Sequence, residues 1–335
     1  MDPAERIVAH ERWFVANTDG KDWGFLFSPL PLALVAAVVA VAVVWRWVAF
    51  RLPSPELSLL RPLGRLAPYV PRLLAVHLGV SLLGLAATGD FLAHSLPVSS
   101  VPGGNAAALL EGALGVWFIT GVRLQPAAVI LACLGPLALL GAGPVAVLET
   151  AHLLGVAAFL AVLPPSDSTF GRVDADPARL RVALLLLRLG AAVALITLAF
   201  SEKLTNPDLA RATLESYPAL DVFALVGLDV PTDTFIAVAG AVELLFGLLV
   251  LSGALPQVVV LVAAVPFNAT LLLFGQTELI GHLPVFGIFL ALMVYGSEPV
   301  TAPAVRWRPG RSADGGAARG LDGAPGGSVE VAEHL

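Results

Sequence analysis

Residues 26–45 read LFSPLPLALVAAVVAVAVVW, twenty positions in a row without a charged side chain. A helix needs roughly 20 apolar residues to cross the hydrocarbon of a bilayer, so this stretch is long enough to span. Its run is continuous and lacks the alternation of barrel strands, which excludes a transmembrane β-barrel. It follows an acidic stretch with five Asp/Glu and three Lys/Arg within residues 1–23. That flank, and the length of the run, set it apart from a cleavable signal peptide.

Comparable apolar runs lie at 73–93, 105–122, 126–142, 145–163, 182–201, 234–253, 257–274 and 280–296. Nine spans are expected. Trp13, Trp23, Trp45 and Trp47 bracket the first, as interfacial tryptophans do. The whole chain of 335 residues agrees: 57% is hydrophobic and 13% charged, with a mean hydropathy of +0.86. Soluble domains carry about 25% charged residues. A soluble enzyme is excluded, and the acidic balance of 19 basic against 25 acidic residues gives no footprint for nucleic acid. The single cysteine, Cys133, cannot act as a dithiol, and reads as a small core filler.

The basic residues set the expected orientation. With nine spans, Arg46, Arg51, Arg61, Arg65, Arg72, Arg123, Arg172, Arg179, Arg181, Arg188, Arg306, Arg308, Arg311 and Arg319 fall on one side. Only Arg6, Arg12, Lys21, Lys203 and Arg211 fall on the other. The positive-inside rule then gives a multi-pass cell-membrane protein with its amino terminus outside and its carboxyl terminus in the cytoplasm. The expected organisation is an extracytoplasmic leader at 1–23, a first transmembrane helix at 24–50, four-helix bundles at 72–164 and 181–297, and a disordered cytoplasmic tail at 298–335. The tail assignment rests on its Gly-, Ala- and Arg-rich composition.

The two bundles form an internal repeat. The first half holds ALLEGALGVWFITGVRLQP and, one helix later, GPVAVLETAHLLGVAAFLAVL. The second holds GAVELLFGLLVLSGALPQ and GQTELIGHLPVFGIFLALMV. Glu111 stands ten residues before Gly121, and Glu243 ten before Gly253; Glu111 to His152 is 41 residues, Glu243 to His282 is 39. Each half has an even number of expected spans, so the repeat is parallel.

Residues 181–297 resemble the DoxX/DoxD-like membrane proteins. The resemblance rests on Arg188-Leu-Gly, on Glu202-Lys203-Leu204, on Gly240-Ala-Val-Glu243-Leu-Leu-Phe-Gly247 continuing to Gly253, and on Gly275-Gln-Thr-Glu278 ahead of His282. The first half looks like a degenerate copy that keeps Glu111 and His152 but has Gly89-Asp90-Phe91 in place of Glu-Lys-Leu. The resemblance implies a four-helix membrane bundle and, more loosely, redox membrane chemistry. One branch looks like the quinone-reducing membrane subunit of thiosulfate:quinone oxidoreductase.

An ionisable group in hydrocarbon costs about 2.5–3.5 kcal/mol or more, so each one needs a partner or a task. Glu111, Glu149, Glu243 and Glu278 lie within or at the edge of expected spans, with His152 and His282. Glu243 and His282 are the expected proton-handling pair, set against a packing hydrogen bond. Lys203, Glu278, Glu111 and His152 are the expected ligand contacts, and Glu202 reads as a solvated neighbour. Lys203 also fits a helix-end lysine that snorkels to the interface. The Glu149-x-x-His152 spacing suits a di-metal carboxylate site, but the second copy, Glu278-x-x-x-His282, is one residue too long, and no metal site is expected. The histidines form no ladder for haem. The loop 202–233 carries apolar positions at Leu209, Leu214, Leu220, Phe223, Leu225 and Val226, the pattern of short amphipathic helices that lie over the second bundle as a lid.

Three function classes remain: a quinone-interacting redox subunit that works with a protein partner and has no intrinsic cofactor of its own, a non-enzymatic scaffold or assembly factor of a respiratory complex, and a small-solute or ion transporter. On the orientation, a cysteine placed at position 90 is expected to label from outside the cell and one at 320 only after permeabilisation. The reverse pattern would overturn it.

Overall fold

A computed structural model describes residues 20–168 and 170–306. The leader up to residue 19 and the tail from 307, with Trp13 and the arginines assigned there, lie outside the described residues. The chain is an all-α polytopic membrane protein. Among the described residues six helices are long and apolar enough to cross a membrane, or seven if one bent pair is a single span.

Helix α1 (Pro29–Ala49) opens with proline at its first turn, where the missing N–H is no loss. It packs on α8, and most of its surface is left to lipid. A 3-10 segment, Ser58–Tyr69, leads into α2 (Val70–Thr88). A short antiparallel hairpin follows, β1 (Asp90–Phe91) with β2 (Ala93–Pro97). Then come α3 (Gly104–Thr120), α4 (Leu124–Glu149), α5 (Ala151–Val162) and α6 (Pro177–Leu198). A π-helical turn, Ala199–Leu204, extends α6, and the short α7 (Pro207–Ser216) lies beyond it. Helices α8 (Thr232–Ser252), α9 (Pro256–Phe274), α10 (Gln276–Ser297) and α11 (Ala302–Val305) complete the order.

The expected spans 126–142 and 145–163 are parted by a break in α4 at Gly143, whose φ of 83° and ψ of 178° no helical residue adopts. A further 57° bend separates 142–149 from α5. Pro144 follows the break and cannot donate the hydrogen bond that would close the turn. Helix α3 has 17 residues and ends at Gly121, a left-handed position with φ 83°. Arg72 of α2 donates to the last carbonyls of α3, at 2.9 Å to Phe118 O and also to Ile119 O. Cys133 is exposed on α4 and is not the core filler expected of it.

Two helix pairs, α2 with α3 and α6 with α8, pack through a glycine four residues after a glutamate, Gly115 after Glu111 and Gly247 after Glu243. A Cβ on Gly115 would come within 2.8 Å of the Gly79 carbonyl oxygen, and one on Gly247 within 2.7 Å of Ile196. Helix α5 also crosses α6, and α10 crosses α2. Small residues let these backbones approach, which is how helices gain contact in lipid. At the α5–α6 crossing, a Cβ on Gly190 would sit 2.6 Å from both the Ala151 carbonyl oxygen and Gly155 Cα. Gly190→Val is therefore expected to destabilise the protein by about 1–3 kcal/mol or more, as overpacking does. Gly135→Ala, whose added Cβ meets nothing within 4 Å, is expected to leave thermal unfolding in detergent unchanged. Equal melting of the two variants would contradict this crossing.

Candidate functional site

The two ends of the bundle differ. One end holds the hairpin, the segment 205–231 and the α9–α10 turn at Gly275. The other holds the α1 exit, the 3-10 segment and the α8–α9 turn. Arginines and backbone carbonyls tie this second end together. Arg46 donates to Ser252 O and, at 3.0 Å, to Arg306 O, while Trp45 donates to Ala254 O at 3.0 Å. Arg306 in turn reaches Ala49 O at 3.2 Å and Glu56 Oε2 at 3.3 Å.

Toward the hairpin end lies a cavity of about 890 Å3, walled mainly by apolar side chains of α5, α6, α8, α9 and α10. Its ionisable lining is Glu149, His152, Glu202, Lys203, Glu243, Glu278 and His282. The site therefore draws on helices far apart in the sequence, α5 and the end of α4 as well as the end of α6, α8 and α10. Five of the six expected site residues line it: Glu243, His282, Lys203, Glu278 and His152. Glu111 stands elsewhere. It is fully buried and accepts a hydrogen bond from Leu92 N at 2.9 Å, so it holds the hairpin corner where Leu92 adopts φ 61°. The hairpin reaches the cavity through Leu92, Ala93 and Ser95.

The π-turn positions three of the polar groups. Thr205 N donates to Phe200 O at 2.9 Å, the i to i+5 bond that widens the helix. The extra residue turns Ser201, Glu202 and Lys203 toward the bundle. Ser201 Oγ donates to Glu149 Oε1 at 2.6 Å, which joins the end of α4 to the end of α6. Lys203 Nζ lies 3.2 Å from Glu243 Oε2 and 3.9 Å from Glu202 Oε2. Glu202 is only 2% exposed, not the solvated neighbour expected from sequence. On α10, Glu278 and His282 are one turn apart, and His282 Nδ1 lies 3.0 Å from Glu278 Oε1. The ring of Phe267 on α9 meets His282 edge to face, with centroids 5.1 Å apart. The expected pair Glu243 and His282 thus share the cavity, each with a contact of its own: Lys203 for Glu243, Glu278 for His282.

The segment 205–231 folds as α7, a 3-10 turn at Pro218–Leu220 and a helical turn at Val222–Leu225. Leu214, Leu220 and Phe223 line the cavity from above. Arg211 fastens this segment to the start of α8, with 2.8 Å to Asp233 and 2.5 Å to Asp208. The hydrogen bond to Asp233, and then the pairing with Asp208, hold the guanidinium above its ordinary range. Among the described residues no group of three or more His, Cys, Asp or Glu is placed to hold a metal ion.

Sequence reasoning missed Ser201 and the burial of Glu202. The signal was the polar run Ser201-Glu202-Lys203 at the end of an apolar helix, which a regular α-helix would spread around its circumference. Comparison with protein-family models, curated proteins and solved structures finds no match for this chain.

Removing one member of a charge-paired contact leaves the other desolvated, whereas removing both is far milder. Lys203→Met is expected to lower stability by about 1.5–3 kcal/mol, the worth of a hydrogen bond to a charged group. The double variant Lys203→Met/Glu243→Met is expected to recover most of that loss in thermal unfolding. If the double variant is as unstable as the sum of the single ones, Lys203 and Glu243 are not coupled.

Proposed function

We propose that this protein is a quinone-interacting subunit of a membrane redox system, related to the DoxX/DoxD-like proteins, that works with a protein partner in the cell membrane. In this reading the chain crosses the bilayer nine times, with its amino terminus outside, so that the cavity opens in the outer half of the membrane. The observation that carries the proposal is the convergence of two acid–base contacts, Lys203–Glu243 and Glu278–His282, on one apolar cavity. Ligand sites commonly have this character: 300–1,000 Å3, mostly apolar, with a few convergent polar groups.

A bound quinone would supply carbonyl oxygens that accept electrons and take up a proton each on reduction. The chain's own residues supply the rest. Lys203 donates hydrogen bonds and places a positive charge beside a carbonyl oxygen. Glu243 lies against Lys203 with its carboxylate partly accessible, so it is placed to receive and release a proton. His282 passes a proton through one ring nitrogen while Glu278 fixes the other. Phe267, Phe246 and Phe289 line the same cavity and keep bulk water from it.

General acid–base groups typically contribute about 10²–10⁴-fold. Glu243→Gln keeps the shape of the side chain and removes proton exchange, so it is expected to cut quinone-dependent proton uptake in liposomes by about 10²-fold. Quinone retained in native mass spectrometry and the yield of folded protein should change little. Glu111→Gln is expected to have a smaller effect, because Glu111 holds the hairpin and does not line the cavity. Uptake by Glu243→Gln equal to that of the unmodified protein would leave the pair a packing feature.

A further inference from the structure

Helices α8 and α9 are joined by a tight turn at Gly253–Leu255, and they part from it. All the buried residues of α9 lie in its first half: Pro256, Gln257, Val259, Val260 and Ala263. From residue 264 to 274 none is buried. Only 22% of the apolar window of α9 is buried, against 50% for α8 and 61% for α10. Its outer half therefore stands away from the bundle, held to α10 through Phe267.

The cavity reaches the surface at this gap. Five of its large aliphatic lining side chains are also exposed: Val242 at 41%, Leu273 at 49%, Val222 at 56%, Leu225 at 68% and Leu272 at 88%. They come from α8, from the segment over the cavity and from α9, and all five are aliphatic. A mouth that opened to water would expose this apolar rim to solvent at about 25 cal/mol per Å2. On two membrane-spanning helices the same rim costs nothing, because the surrounding medium is hydrocarbon. Val242 directly precedes Glu243, so the rim leads straight to the charged contacts.

We propose that the gap between the outer halves of α8 and α9, roofed by Val222 and Leu225, is a lateral portal that admits the hydrocarbon chain of a bilayer-resident amphiphile into the cavity. The head group comes to rest against Lys203, Glu243, Glu278 and His282, and the chain trails through the aliphatic rim into the surrounding leaflet. The inference rests on reading the cavity as a ligand site, but not on the ligand's being a quinone.

Its test uses the full chain in nanodiscs containing a phosphatidylcholine with a photoactivatable diazirine on one acyl chain. Phe246 and Phe289 line the cavity and are 8% and 4% exposed, so lipid outside the portal does not reach them. Val43 on α1 and Val265 on α9, 65% and 69% exposed, report the outer lipid surface. Mass spectrometry after irradiation is expected to find cross-links at Phe246 or Phe289 as well as at Val43 and Val265. Val242→Trp/Leu272→Trp, which fills the rim, is expected to reduce the interior cross-links severalfold and leave those at Val43 and Val265 unchanged, showing that the variant still inserts and folds. Cross-links confined to Val43 and Val265 in the unmodified protein, or interior cross-links indifferent to the double substitution, would overturn the portal. The probe carries no quinone: interior cross-links without any quinone binding would refute the proposed redox role and leave the portal standing.

Discussion

Hydrocarbon does not hydrate charge, and that constraint governs where the polar side chains of this chain stand. A charged group in the bilayer interior needs a partner in reach or a pocket that holds water or ligand. Seven ionisable side chains from α4, α5, α6, α8 and α10 meet this need by lining one cavity. Glu111 meets it separately, with a backbone N–H of the hairpin. At the opposite end of the bundle Arg46, Arg72 and Arg306 meet it by capping helix carbonyls, where a cation also faces the negative end of a helix dipole.

Packing between helices distant in sequence is what brings these groups together. Because α5 crosses α6 at Gly155 and Gly190, the end of α4 is carried to the end of α6, and the 2.6 Å hydrogen bond between them follows. The crossing of α10 on α2 at Gly287 brings α10 against the start of the bundle in the same way. The rim is uneven. On one side the hairpin, held by Glu111, covers it; on the other α7 and its following turns, held by Arg211, lie over it, and α9 stands apart.

How much of this was legible in the sequence depends on what each residue answers to. Among the described residues six of the nine expected spans, or seven with the bent pair, have helices long and apolar enough to cross, and these were readable because hydrocarbon thickness sets a length that composition alone can satisfy. Glu243, Glu278, His152 and His282 stood out because any ionisable side chain in an apolar run is a physical exception. The π-turn leaves no mark on composition, and its one trace in the sequence, the polar run Ser201-Glu202-Lys203, also fits a solvated helix end, so Glu202 looked solvated when it is buried. The break at Gly143 was readable, because Gly143-Pro144 interrupts the apolar sequence between the runs 126–142 and 145–163. Cys133 was misplaced because small residues suit a core and a lipid-facing surface equally, and periodicity does not say which way a helix faces in a medium as apolar as its own interior.

That last point bears on why a site of this kind forms where it does. In water, an apolar cavity with an exposed aliphatic rim tends to collapse, because closing it removes surface from solvent. In a bilayer that driving force is missing, and a helix such as α9 can stand clear of its neighbours for half its length at little cost. What keeps it in register is local and specific: the turn at Gly253–Leu255, the bonds of Gln257 to Leu57 and Ser297, and the Phe267 contacts with His282 and Phe289. The aromatic contact sits beside the acid–base pair on α10, so the position of α9 and the setting of His282 are mechanically linked.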